Sequence, residues 1–156
     1  MAIARSVDRR LFFLIDRSHA RLGKKADKIL RAQAGLGRAQ AAVLTYLGYN
    51  DGCRLSELAG GVGHNNSAIT ALSDRMESAD LLQRRKMLFD GRGRTVHLTE
   101  RGWEKRVIVM DVMRDFNAAL RKGFSEAELD MIFRFLNTAE DNLDSVLPDF
   151  EPGSDT

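Results

Sequence analysis

The run Asn65-Asn66-Ser67 with Thr70, and the cations Arg84, Arg85, Arg92 and Arg94, are the side chains whose types and spacing could do chemistry in this chain. That chemistry is hydrogen bonding and charge pairing. Short amide and hydroxyl groups on one helical turn can donate to and accept from the edges of planar bases, and clustered guanidiniums pair with phosphates. Covalent chemistry fits poorly. His19, His64 and His97 stand far apart, with no cysteine or carboxylate at metal-ligand spacing. No nucleophile sits beside a histidine and no recognisable motif places a carboxylate pair, so neither enzyme activity nor a metal or cofactor is expected. Gly60-Gly61-Val62-Gly63 lacks the lysine and the preceding strand of a nucleotide-binding loop and reads as a turn.

Those side chains need a frame, and residues 55–82 supply it. A short helix with the small Ala59, the glycine-rich turn, and a second helix with apolar Ala68, Ile69, Leu72 and Met76 read as a helix-turn-helix. Asn65 is placed as the N-cap of the second helix, expected over about 65–79, whose first turn then presents Asn66, Ser67 and Thr70. Next, Thr95–Leu98 alternates polar and apolar and Asp90-Gly91 marks a tight turn, so two short strands over about 83–98 form a wing. Residues 84–94 hold five Lys/Arg against one acid, the most basic short surface in the central half of the chain. Arg54, just before the first helix of the motif, is placed to reach a backbone phosphate.

Long helices flank this centre. Leu11, Leu14, Ile15, Leu22, Ala26 and Ile29 recur at helical spacing until Gly35 and Gly37, and a shorter helix carries Ala41, Val43, Leu44 and Leu47 up to Asn50-Asp51-Gly52. After the wing, Thr99-Glu100 opens a helix through Trp103, Val107, Met110, Met113, Phe116 and Leu120, closed by Gly123. Ser125 and Glu128 form a capping box for a last helix whose Leu129, Ile132, Leu136, Ala139, Leu143 and Val146 make a narrow apolar seam. Such seams suit helix-to-helix association, within one subunit or between two.

With 156 residues, 44% of them hydrophobic, one domain with a real core is expected. Both prolines, Pro148 and Pro152, lie near the end, which leaves the rest free to be helical. The net charge of +2 hides an asymmetry: residues 1–40 carry ten Lys/Arg against three acids, and residues 123–156 carry one, Arg134, against nine. One surface should attract a polyanion and another repel it. The single Cys53, expected in a loop, excludes an internal disulfide and fits a reducing compartment. The early apolar run Leu11–Ile15 is too short for a signal peptide or a membrane span, so a cytoplasmic protein without membrane association is expected.

Over positions 8–147 the chain resembles the multiple-antibiotic-resistance-regulator (MarR) family. The resemblance rests on Gly35–Leu47 with Ala39-Gln40-Ala41-Ala42-Val43-Leu44, Leu58-Ala59 and Ser67-Ala68-Ile69-Thr70. It continues through Asp74-Arg75-Met76-Glu77, Leu81-Leu82-Gln83-Arg84, Asp90-Gly91-Arg92 and Leu98-Thr99-Glu100-Arg101-Gly102. It implies a mainly α winged helix-turn-helix with a small β-hairpin. Helices over 8–34 and 99–147 would dimerise, 38–98 would bind DNA, and 148–156 would be a flexible acidic tail. The implied function is a homodimeric regulator, a repressor, on pseudo-palindromic double-stranded DNA, modulated by a small aromatic or phenolic effector whose binding residues the sequence does not identify. A winged-helix protein-interaction module without operator binding is the alternative.

The resemblance places Arg92 in the minor groove and Arg84, Arg85 and Arg94 on phosphates, with Arg75 also on the DNA-binding surface. Asp90 would orient the wing by pairing with Arg75. The sequence departs from the family where Lys86-Met87-Leu88-Phe89 replaces a proline-containing polar stretch. It also has no cysteine within Leu11–Ile15, where the peroxide-sensing branch keeps its reactive thiol.

Overall fold

Helical periodicity accounts for most of the chain: α1 (Leu11–Ala34), α2 (Arg38–Tyr49), α3 (Leu55–Gly61), α4 (Asn66–Ser78), α5 (Glu100–Arg121) and α6 (Glu126–Val146). Between them lie the strands β1 (Cys53–Arg54), β2 (Leu82–Lys86) and β3 (Arg94–Leu98). The structure, a computed structural model, describes residues 10–86 and 94–146. Residues 8–9, the wing tip with Met87-Leu88-Phe89, Asp90 and Arg92, and the acidic tail 148–156 lie outside the described residues. The chain divides into two units, residues 1–116 and 117–156, with α5 running across the boundary.

The first unit is a winged helix-turn-helix. α1 stops where Gly35 takes a left-handed conformation, φ 71°, that a side chain would resist, and its amide closes the last turn on the Arg31 carbonyl. Lys105 of α5 donates from Nζ to the Ala34 carbonyl at 2.7 Å, which ties α5 to the end of α1. The helical spacing of α2 buries Ala41, Val43, Leu44 and Leu47 on one side. They meet Leu58 and Ala59 of α3, Ile69, Leu72 and Met76 of α4, and Leu82, Val96 and Leu98 of the sheet in one continuous core.

The sheet differs from the expected two-stranded wing. β1 adds a third strand, in the order β1-β3-β2, with Cys53 opposite Val96 and Arg54 opposite Thr95. Cys53 therefore sits half-buried on a strand, not in a loop. Two residues are too few for a period-two pattern, so β1 leaves no sequence signal of its own.

α5 does not bury its larger apolar residues first. Its buried line is Gly102, Val109 and Val112, whereas Trp103 and Val107 are exposed. The cause is Gly102, which packs so closely that a Cβ there would stand 2.0 Å from the Leu81 carbonyl oxygen. Contact between the α5 backbone and the chain just before β2 rotates the helix away from its larger apolar residues.

In the second unit, Ser125 and Glu128 cap α6 as expected. Ser125 N–H donates to Glu128 Oε2 at 2.8 Å, and Glu128 N–H donates to Ser125 Oγ at 3.4 Å. Of the expected seam only Leu129 is buried; Ile132, Leu136, Leu143 and Val146 are exposed. Among the described residues no helix is long and apolar enough to cross a membrane.

Candidate nucleic-acid interface

The first turn of α4 is prepared by its cap. Asn65 holds an extended backbone and its Oδ1 accepts from Ala68 N–H at 2.8 Å and from the Ser67 hydroxyl at 2.9 Å. The Asn65 oxygen is thus committed to the turn, while its side-chain NH2 makes no hydrogen bond among the described residues. Thr70 donates from Oγ1 to the Asn66 carbonyl at 2.7 Å. The Asn66 amide has no hydrogen bond among the described residues, and Asn66, Ser67 and Thr70 are all exposed. Beyond the cap, the turn offers one uncommitted amide and two hydroxyls whose lone pairs remain available.

Gly60 and Gly61, expected in the turn, instead end α3, and with Gly63 of the turn proper they differ in physics. Gly63 needs its left-handed φ of 68°, while Gly61 leaves room for the Tyr46 ring, which a Cβ would overlap. A substituent at Gly60 would meet only open space.

Arg84 does not behave as an exposed phosphate contact. Its guanidinium turns inward and donates from Nη1 to Asp74 Oδ1 at 2.6 Å and to Glu77 Oε2 at 3.3 Å, and from Nη2 to the Thr70 carbonyl at 3.3 Å. Its backbone N–H donates to Glu77 Oε1 at 3.0 Å, and only 15% of the side chain is exposed. Arg84 therefore clamps β2 to α4. Asp74 and Glu77, at i,i+3 spacing, aim both carboxylates at this one strand residue, while the expected Asp90–Arg75 pair falls on Asp90, outside the described residues.

The remaining cations divide between the two faces of the sheet. On the face away from the core, Arg54, Thr95 and Arg85 stand opposite one another across β1, β3 and β2, so Arg54 and Arg85 are about 10 Å apart. At the open end Lys86 pairs directly with Arg94. Like charges opposite each other in a ladder repel, and a bound anion would relieve that repulsion. Arg75 lies elsewhere, lining a cleft with Asp27, Arg31 and Arg38 of α1 and α2.

One polar constellation has no precedent in the sequence reading. Asp51 accepts from Leu98 N–H at 2.8 Å and from His97 Nδ1 at 3.0 Å, and the other ring nitrogen of His97 lies 2.9 Å from Thr95 Oγ1. This array fastens the turn before β1 to β3. Nothing in the local sequence links positions 51 and 97, because the β1–β3 pairing alone brings them together. Burial, reinforced by the nearby Glu57 and Asp51 charges, pushes the Cys53 thiol above its ordinary range, which disfavours the reactive thiolate. Among the described residues no group of three or more His, Cys, Asp or Glu could hold a metal ion.

Residues 36–93 match the family model described as the MarR family. Solved structures share the fold. A MarR-like transcription regulator from Bacillus cereus is 24% identical, with a TM-score of 0.76 over 86% of this chain and 96% of that one. The transcriptional repressor CouR, bound to a 23-mer DNA duplex, is 20% identical, with a TM-score of 0.79 over 90% and 99%. The PcaV transcriptional regulator of Streptomyces coelicolor, in complex with its natural ligand, is 18% identical, with a TM-score of 0.70 over 90% and 98%. No curated protein sequence matches this chain.

Proposed function

We propose, for a chain whose residues 36–93 are a MarR family domain, that it is a sequence-specific DNA-binding transcriptional regulator acting as a homodimer. The observation that carries this reading is the first turn of α4. It is exposed, rigidly capped by Asn65, clamped to the sheet by Arg84, and presents the uncommitted Asn66 amide beside Ser67 and Thr70. A helix held this way can enter a major groove and read base edges. Arg54, Arg85 and Arg94 then meet phosphates, and Arg92 reaches the minor groove.

The exposed apolar residues of α6, Leu136, Leu143 and Val146 among them, support a partner subunit, because contiguous apolar surface of this kind is rare on monomers. The CouR complex supports DNA as the target and repression as the output. The PcaV complex supports control by a small-molecule effector, for which we propose an aromatic or phenolic compound. Ligand control would be a coupling free energy between two binding events, with no covalent step.

The test is selection of duplex DNA from a random pool by the purified protein, followed by affinity measurements over a range of salt. Enrichment of a two-fold-related sequence, bound with a log–log salt slope set by several phosphate contacts, is the expected result. Absence of enrichment together with a flat salt response would overturn it in favour of a protein-interaction module.

A further inference from the structure

Given the DNA-binding function proposed above, we infer that His97, held between Asp51 and Thr95, is a proton-responsive positioning residue that ties duplex binding to pH. It acts on the outward row Arg54, Thr95 and Arg85. Asp51 Oδ2 lies 3.0 Å from His97 Nδ1, and Thr95 Oγ1 lies 2.9 Å from His97 Nε2. The same Thr95 hydroxyl lies 3.4 Å from the Arg85 carbonyl oxygen. The array therefore runs from the turn before β1, through β3, to β2.

One hydroxyl hydrogen faces two acceptors. An ionised carboxylate only accepts, so the Asp51 contact places a hydrogen on His97 Nδ1. In the neutral imidazole Nε2 then carries a lone pair, and Thr95 spends its single hydrogen there. The Arg85 carbonyl receives nothing from Thr95 in that state. Uptake of one proton from solvent reverses the order: Nε2–H donates to Thr95 Oγ1, and the Thr95 hydroxyl turns its hydrogen to the Arg85 carbonyl. The Asp51 contact becomes a charge-assisted pair at the same time. Protonation thus adds one bond between β3 and β2 at the row that carries Arg54 and Arg85.

The fold fixes the ring for this task. Asp51 is anchored through Oδ1, which accepts from Leu98 N–H at 2.8 Å. A Cβ at Gly52, whose φ of 83° is left-handed, would stand 2.9 Å from His97 Cε1, so the imidazole packs where a side chain would otherwise be. Thr95 and His97, two apart on β3, point away from the core that buries Val96 and Leu98. The charged groups on this outward side are Asp51 from the turn, Arg54 on β1 and Arg85 on β2, and Glu57 of α3 accepts from the Arg54 amide. Gln83, opposite His97, is neutral, and Cys53, opposite Val96, belongs to the other face, where α2 and α3 meet β3 through apolar residues. Phosphates brought to Arg54 and Arg85 add negative charge beside the ring, so the bound state favours the imidazolium. Binding then takes up protons, and affinity rises as pH falls.

The experiment measures the affinity of the full chain for its selected duplex at fixed salt from about pH 8 to about pH 6. His97→Gln, Thr95→Val and His64→Gln are measured beside the wild type. His64, exposed just before Asn65, controls for a charge added directly at the interface. In the free protein, the His97 ring and the Arg85 carbonyl carbon are followed by NMR over the same range.

Wild-type affinity should rise about threefold to tenfold on acidification, His64→Gln should rise as much, and His97→Gln should stay flat. Thr95→Val keeps the β-branched shape and the Asp51–His97 pair but has no hydroxyl, and it should lose most of the rise. The Arg85 carbonyl should shift with the His97 ring titration in the wild type and not in Thr95→Val. A flat wild-type affinity, a rise that survives in His97→Gln, or a rise that disappears in His64→Gln overturns the proposal. A full rise in Thr95→Val overturns it as well, because the hydroxyl is then no link in the chain. If the wild type binds no duplex at any pH, the regulator function falls, and the Arg85 carbonyl response alone then decides whether the relay exists. Unchanged thermal melts at the alkaline end verify that the variants fold.

Discussion

The helix-turn-helix segment and α6 are built from the same apolar residue types at the same helical spacing, yet the structure treats them differently. Leu44, Leu47, Leu58, Ile69 and Met76 are less than 2% exposed, because α2, α3, α4 and the sheet cover one another. On α6, Leu136 and Leu143 are each 58% exposed and Val146 is 73% exposed. Periodicity states that a helix has an apolar face; it does not state who covers it. The first region closes on itself and its stability should belong to the single chain. The seam of α6 lacks cover at Leu136, Leu143 and Val146, and under the proposed dimer its stability should depend on concentration.

The strongest way to break this contrast is to charge the seam. Leu136→Lys/Leu143→Lys should shift the protein from a dimer to a 17.5 kDa species in sedimentation. DNA affinity should fall by about 10² to 10⁴ as the two half-site contacts become independent. A wild type that already sediments at 17.5 kDa at micromolar concentration would remove the dimer altogether.

A paired measurement sharpens the distinction. Leu44→Ala deletes fully buried atoms and should cost about 2–5 kcal/mol of unfolding free energy, with the same value at every protein concentration. Leu143→Ala should instead show a loss that depends on protein concentration and vanishes on dilution below the dimer dissociation constant. Equal, concentration-independent losses at both sites would mean that α6 is covered within its own chain.

Within the closed region, Arg84 and Asn66 should fail in different ways. Arg84→Ala releases the wing from α4 and should lower stability by about 1.5–3 kcal/mol, the range for hydrogen bonds to charged groups. It should leave the salt slope of DNA binding unchanged, since this guanidinium is already paired with Asp74 and Glu77. Asn66→Ala should leave stability intact and narrow the gap between selected and random DNA by about 1–3 kcal/mol. A reduced salt slope in Arg84→Ala would return that residue to the phosphate contacts.

The smallest effect is expected at the start of α6. Hydrogen bonds from the Ser125 amide and hydroxyl hold the Glu128 carboxyl below its ordinary range. A folded-state value below the unfolded one, about 4.3, means that the cap contributes above that pH and is lost as pH falls through the folded value. Wild-type thermal stability should therefore drop slightly more than that of Glu128→Ala on acidification from about pH 5 to about pH 3. Parallel curves would show that the cap does not contribute to folding.

Much of this molecule was legible in the sequence because the signals are local. Asn65 caps α4, Ser125 and Glu128 cap α6, and Ala41, Val43, Leu44 and Leu47 bury one face of α2, each through contacts within a turn or two of helix. The winged helix-turn-helix class followed from the order of such signals. What the tertiary structure decided is long-range and mostly polar. The guanidinium of Arg84 reaches back ten residues to Asp74, and Asp51 reaches forty-six residues to His97. A charged side chain carries no periodicity that names its partner. Whether an arginine is spent inside the fold or left for a ligand is settled only when packing fixes which carboxylates come within hydrogen-bond reach.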